Sequence, residues 1–280
     1  MVLIDFEEII KNEIQNLGGP YVWTDIMLHG DHRVQKNVKR KSYRLLDAEN
    51  KVIYRGDLER CRSTLLKLQI KFKSTHLILL IHGLGRHAGI MKKMRDALQN
   101  EGFSAHSLNY ATLFEDVSTH ADNFEYLIKN LPGVKKISFV THSLGGLVAR
   151  ELLSRDDMWQ NIKPEKIVMM GTPNKGAQIA EFLNRLKAFE IIMGPSSQNV
   201  LPDDKLKELP EPKIPTLIIA GGRGNNLGYN PLLPGDNDGI VTVDETRIDE
   251  PHEFICVPVI HTTIMDHKKS IAETINFLKT

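Results

Sequence analysis

Residues 137–146 read Ile-Ser-Phe-Val-Thr-His-Ser-Leu-Gly-Gly, and the fold turns on how this stretch is read. Ile137, Phe139 and Val140 form a short apolar run of the kind a buried parallel strand shows. After Ser143, the apolar residues Leu147, Val148, Leu152 and Leu153 return at helical spacing. A strand, a sharp turn carrying a serine and then a helix make a nucleophile elbow, which projects the serine hydroxyl from the edge of a sheet. Such a turn crowds the neighbouring backbone, so the positions flanking the serine must be small. Gly145 meets that need on one side. On the other, Thr141 stands where the pattern asks for glycine; it is small and β-branched, so it can still end the strand. The plainer role for Ser143 is a helix N-cap. Features on either side of it in the chain favour the nucleophile.

The chain of 280 residues is long enough for one large α/β domain, alone or with an appendage. Hydrophobic residues at 41% and charged residues at 25% suit a soluble globular protein, and a net charge of +1 gives no global field for nucleic acid or membrane. Cys61 and Cys256 form no motif and are expected to be reduced and structural. The first residues lack a basic region and carry acid early, which argues against a signal peptide. No apolar run approaches the roughly 20 residues of a membrane span. The expected location is cytoplasmic.

Residues 4–17 carry Ile4, Ile9, Ile10, Ile14 and Leu17 near helical spacing, with Gly18, Gly19 and Pro20 behind them. Four acids against one lysine disfavour a membrane-surface helix and favour one that packs. Residues 21–58 are β-rich: residues 43–47, a polar turn at 48–51 and residues 52–55 read as a hairpin. The basic run Arg33, Lys36, Lys39, Arg40, Lys41 and Arg44 has only Tyr43 as a stacking aromatic, so it reads as a solvated strand face rather than a nucleic-acid patch. Residues 58–72 have helical spacing. Residues 1–75 are thus an N-terminal extension of helix, hairpin and helix, either separate or packed on the main sheet. From residue 76 to 280 strands alternate with helices, with a helix predicted over 88–101 and another capped by Ser118. That alternation predicts a mostly parallel sheet with helices on both faces and ligands beyond the carboxyl ends of its strands.

The candidates for chemistry all follow strands. Acyl transfer needs a nucleophile, a base, a carboxylate to hold the base, and donors for the oxyanion. Ser143 is the nucleophile, and the elbow leaves the Leu144 N–H free as one donor. The segment His82-Gly83-Leu84-Gly85-Arg86 follows an earlier strand, so the Leu84 N–H is the second donor, with Gly83 allowing the turn and His82 propping it. Asp238, before Gly239, is the candidate carboxylate, with Asp236 as the alternative. His261, directly after the last strand, is the candidate base, with His267 as the alternative. His142 and Gly145 are expected to shape the site. The glycine-rich residues 221–228 lack the Lys-Ser/Thr ending of a phosphate loop, so they read as a substrate-side loop.

Residues 82–86, 141–146, the Gly-Thr-Pro-Asn-Lys-Gly of 171–176, the Asn-Asp-Gly-Ile-Val of 237–241 and the His-Thr-Thr-Ile-Met of 261–265 together resemble the α/β-hydrolase serine lipases and esterases. Bacterial triacylglycerol lipases and PGAP-like lipases are the members it resembles most. The resemblance covers residues 76–280. It implies the α/β-hydrolase fold, a triad of Ser143, Asp238 and His261 in that chain order, and an oxyanion hole of the Leu84 and Leu144 N–H groups. It also implies that the turn carrying Thr172 shapes the acyl side of the site, and that the substrate is a small-molecule acyl ester, with no metal or organic cofactor. A thioesterase or acyltransferase would use the same residues, and a catalytically silent binding protein would lack one of them. Residues 174–214 are long for a connection and carry an amphipathic pattern, as a lid with weak lipid-surface contact would.

Overall fold

The computed structural model describes residues 19–175 and 209–280. The helix expected over 4–17 and the amphipathic stretch expected as a lid lie outside the described residues, save the two ends of the 174–214 connection.

The described chain begins with a four-stranded antiparallel sheet, β1 (Trp23–His29), β2 (His32–Asn37), β3 (Ser42–Leu46) and β4 (Val52–Gly56), paired in chain order. The expected hairpin is β3–β4. The helix α1 (Leu58–Lys67) packs on this sheet, where Ile26, Met27, Val34 and Leu45 meet Cys61 and Leu65. Asp57 caps α1 by accepting from the Arg60 N–H at 2.9 Å. The helix ends before residue 72 because the chain turns left-handed at Gln69, φ 50°.

The basic run is not a uniformly solvated face. Arg33 is buried and its Nη1 donates to Asp25 Oδ2 at 3.3 Å. Arg44 lies over the Trp23 ring at 4.1 Å, and Lys36 pairs with Glu115 at 3.1 Å. These cations serve contacts within the protein, since the sheet turns one of its faces to the rest of the molecule.

The second sheet is six-stranded and parallel. Its strands are β5 (His76–Ile81), β6 (Ser104–Leu108), β7 (Lys136–His142), β8 (Lys163–Met170), β9 (Thr216–Gly221) and β10 (Glu253–Val257), in the order β10-β9-β8-β7-β5-β6. Alternation along the strands builds two cores. Leu77, Leu79 and Ile81 of β5 face α3 (Val117–Lys129) and α4 (Leu144–Leu153), meeting Phe124, Leu147 and Leu152. Ile78 and Leu80 face α2 (Lys92–Asn100) and α5 (Lys268–Lys279), meeting Met94, Leu98 and Phe277. This is the α/β-hydrolase fold with an N-terminal extension. The helix expected over 88–101 is a short 3-10 turn at Ala88–Met91 followed by α2. Asp116, not Ser118, caps α3, accepting from the Thr119 N–H at 2.7 Å.

Candidate active site

Three strand ends deliver the candidate residues to one edge of the parallel sheet. β7 runs into Ser143, which adopts φ 52° and ψ −123° before α4 begins. A non-glycine residue in this region stores about 1–3 kcal/mol of strain, and the surrounding packing holds it. Ser143 occupies the N-cap position of α4 but its side chain makes no capping hydrogen bond. Its hydroxyl is left for another partner, so the plain helix-capping role does not apply. Thr141 is accommodated in place of glycine because its hydroxyl turns to β8 and donates to the Val168 carbonyl at 3.1 Å.

The glycines are required by close approach. A Cβ at Gly145 would lie 2.5 Å from the Ile81 carbonyl oxygen and 2.6 Å from that of His82. One at Gly171, which is left-handed at φ 57°, would lie 3.1 Å from His261 Nδ1 and 3.2 Å from Asp238 Oδ2.

The segment after β10 brings His261 against Ser143. The Ser143 Oγ is 2.9 Å from His261 Nε2, and His261 Nδ1 is 2.7 Å from Asp238 Oδ2. A carboxylate only accepts, so the ring proton sits on Nδ1 and Nε2 is free to accept from the serine hydroxyl. All three side chains are buried. Asp238 is itself fixed: its Oδ1 accepts from the Ile240 and Val241 N–H groups at 3.0 and 2.7 Å, and its carbonyl accepts from the His261 N–H at 2.9 Å. The neighbouring Asn237 ties the same loop together, accepting from the N–H groups of Asn230 and Gly239.

The two alternatives are placed elsewhere. Asp236 accepts from the Arg223, Gly224 and Asn237 N–H groups and organises a turn. His267 sits at the N-cap of α5.

The loop after β5 crosses directly above the elbow. A Cβ at Gly83 would lie 2.9 Å from His142 Nδ1 and 3.1 Å from Ser143 Cβ. Leu84 follows, then Gly85 in the left-handed region at φ 62°. Leu144 opens α4, so its N–H has no acceptor within the helix. His82 Nδ1 donates to the Gly83 carbonyl at 2.9 Å, and burial pushes its pKa down to about 3. Thr172 donates to the Ser143 carbonyl at 3.2 Å, fixing the back of the elbow. His142 donates through Nε2 to the His261 carbonyl at 3.0 Å; burial first, and then the nearby His261, hold its pKa well below the usual histidine range.

Residues 57–209 match the family described as "Domain of unknown function (DUF7379)". The chain belongs to the DUF7379 family. No curated protein matches it. Among solved structures, this DUF7379 protein is similar to the lin2722 gene product of Listeria innocua, 19% identical over 74% of this chain and 95% of that one, with a TM-score of 0.53. It is also similar to the mature lipase BlEst2 of Bacillus licheniformis, 16% identical over 72% of this chain and 91% of that one, with a TM-score of 0.56. Both likenesses show the fold.

Several residues of the DUF7379 protein that build the site carry no mark in the sequence. Arg150 on α4 is buried and reaches the Asn174 carbonyl at 2.7 Å and the Pro210 carbonyl at 3.2 Å, and it also donates to the Leu209 carbonyl. It thus staples the two ends of the long connection. An arginine set among the apolar residues Leu147, Val148, Ala149 and Leu152 was the available signal. Asn109 and Thr112 lie in a segment without a motif and meet the loop after β5 only through the fold, Thr112 at the Gly85 N–H and Asn109 at the Ala88 N–H, and Asp25 meets Asn109 in turn.

Proposed function

We propose that this protein is a serine hydrolase that cleaves carboxylic esters through an acyl-enzyme. The observation that carries the reading is the relay from Ser143 Oγ through His261 to Asp238, at 2.9 and 2.7 Å. In this reading His261 Nε2 takes the hydroxyl proton as Ser143 Oγ attacks the acyl carbon. Asp238 holds the ring in the tautomer that can accept that proton and balances the imidazolium that forms. The carbonyl oxygen becomes an oxyanion, met by the N–H groups of Leu84 and Leu144. When the C–O bond breaks, the proton passes from Nε2 to the departing alkoxide. Water then enters, gives its proton to His261 and attacks the acyl carbon, and Ser143 regains a proton as the acid leaves.

The likeness in fold to a lipase supports the class of substrate, since that neighbour is named for ester hydrolysis. The test is hydrolysis of p-nitrophenyl esters from short to long acyl chains by wild type and Ser143→Ala, alongside labelling with a fluorophosphonate. Turnover and labelling by wild type alone are expected. Equal turnover in the variant would overturn the assignment, as would a Ser143 that no fluorophosphonate labels.

A further inference from the structure

β1 is buried along its whole length although it is an edge strand of its sheet. Its outer side is taken up by the segment that follows β6, residues 109–112. The Asp25 N–H donates to the Asn109 carbonyl and the Asn109 N–H donates to Asp25 Oδ2, both at 2.8 Å. Asn109 Nδ2 donates to the carbonyls of Pro20 and Trp23 at 2.7 and 2.6 Å, and the Ala111 N–H donates to Thr24 Oγ1 at 3.2 Å. Asp25 is fully buried, and its other oxygen accepts from Gln35 Nε2 at 2.7 Å. A buried carboxylate saturated in this way is a rigid anchor.

Three residues of the same segment grip the loop that crosses Ser143. Thr112 Oγ1 accepts from the Gly85 N–H at 3.0 Å. Asn109 Oδ1 accepts from the Ala88 N–H at 3.0 Å. The Tyr110 hydroxyl donates to the His82 carbonyl at 2.5 Å. Leu84 is therefore bracketed: the carbonyl two residues before it, the amide immediately after it and the amide four residues after it are all tied to one strap. That strap is in turn tied to β1.

We infer that Thr112 and Asn109 are positioning residues for the Leu84 N–H, and that the N-terminal sheet is the anchor against which this oxyanion donor is held. The inference rests on the ester-hydrolase reading of Ser143. An oxyanion donor acts only within a few tenths of an ångström of its working distance, and a displacement of about 1 Å can cost ~10²-fold in rate. A loop of two glycines and no secondary structure cannot hold that tolerance alone. The strap supplies the rigidity from outside the hydrolase sheet.

The test is Thr112→Val, which keeps the shape and removes the acceptor for the Gly85 N–H, with Thr112→Ser as the conservative partner. Kinetics on a p-nitrophenyl ester, thermal melting and amide hydrogen exchange over residues 82–88 are read on each. The expected result for Thr112→Val is a fall in kcat of about tenfold with KM little changed, faster exchange in the loop, and recovery of both by Thr112→Ser. Asp25→Asn, one link farther out, gives a smaller loss of kcat in the same direction. A lower melting temperature with kcat unchanged would mean a merely structural role and overturn the inference. So would loop exchange equal to wild type. If wild type itself turned over no ester, the hydrolase reading would fail instead, and the exchange data would still report whether the strap holds the loop.

Discussion

The Nε2–H of His142 donates to the main-chain carbonyl of His261 at 3.0 Å, joining residues 119 positions apart. The residue immediately before the candidate nucleophile thus holds the backbone of the candidate base. The two rings lie 4.8 Å apart at 45°. Since a carbonyl only accepts, His142 carries its proton on Nε2, leaving Nδ1 without a partner beneath Gly83. His142→Phe keeps the ring and removes the donor. It should cost about 1–2 kcal/mol of stability through the orphaned carbonyl. It should also lower kcat for ester hydrolysis more than it changes KM, because His261 loses a fixed point. Equal kcat in the variant would limit His142 to packing.

Asp238 has two separable tasks. One oxygen holds the His261 ring and the other closes the turn through the Ile240 and Val241 N–H groups. Asp238→Asn retains an acceptor for the turn but cannot accept at both positions. It should reduce kcat by about 10⁴-fold with a small change in melting temperature. Asp238→Ala should lose activity and stability together, because two N–H groups are left unmet in a buried turn. Parallel denaturation curves and initial rates on the two variants separate the tasks.

Gly145 lies near the start of α4, where helix propensity alone says that alanine would stabilise by about 1 kcal/mol. The tertiary contacts reverse the sign. The new methyl would meet two backbone oxygens at 2.5 and 2.6 Å, and neither can move without shifting β5. Overpacking of this kind costs up to about 3 kcal/mol, so Gly145→Ala should lower the melting temperature by up to about 5 °C. A stabilised variant would show that the elbow and β5 can separate.

Burial holds His82 and His120 at pKa values of about 3, against an ordinary 6.5. The unfolded chain takes up these protons below pH 6.5, while the folded protein resists them until near pH 3. Their contribution to stability is therefore full above pH 6.5 and is lost as pH falls from there towards 3. At pH 5 each ring should have cost about 2 kcal/mol relative to pH 8. Urea denaturation at pH 8, 6.5 and 5 checks this, since the carboxylates titrate mostly below that window. His120→Phe should flatten the slope, by up to one proton.

The local pattern of residues 137–153 was enough for the elbow, because a strand, a strained turn and a helix each depend on neighbours a few residues away. The alternation of apolar strands with amphipathic helices likewise implied the parallel sheet, and chain order pointed to Ser143, Asp238 and His261. Other features depended on contacts with no local periodicity. Asp236 and Asp238 are near-equivalent as text; only the fold turns one to a histidine and the other to a loop of N–H groups. The first four strands read as a β-rich stretch, but whether they extend the main sheet depends on edge pairing. β1 instead meets the strap after β6 through Asp25 and Asn109, 84 positions apart. A hydrogen bond over that separation leaves no spacing to read, because its partners are chosen by where the packed cores set down two distant segments. The sequence by itself therefore determined the strand–turn–helix unit around Ser143 and the alternation that builds the parallel sheet. The tertiary structure alone decided which polar groups meet at 3 Å, since burial removes water and leaves each group only the partners that packing sets beside it.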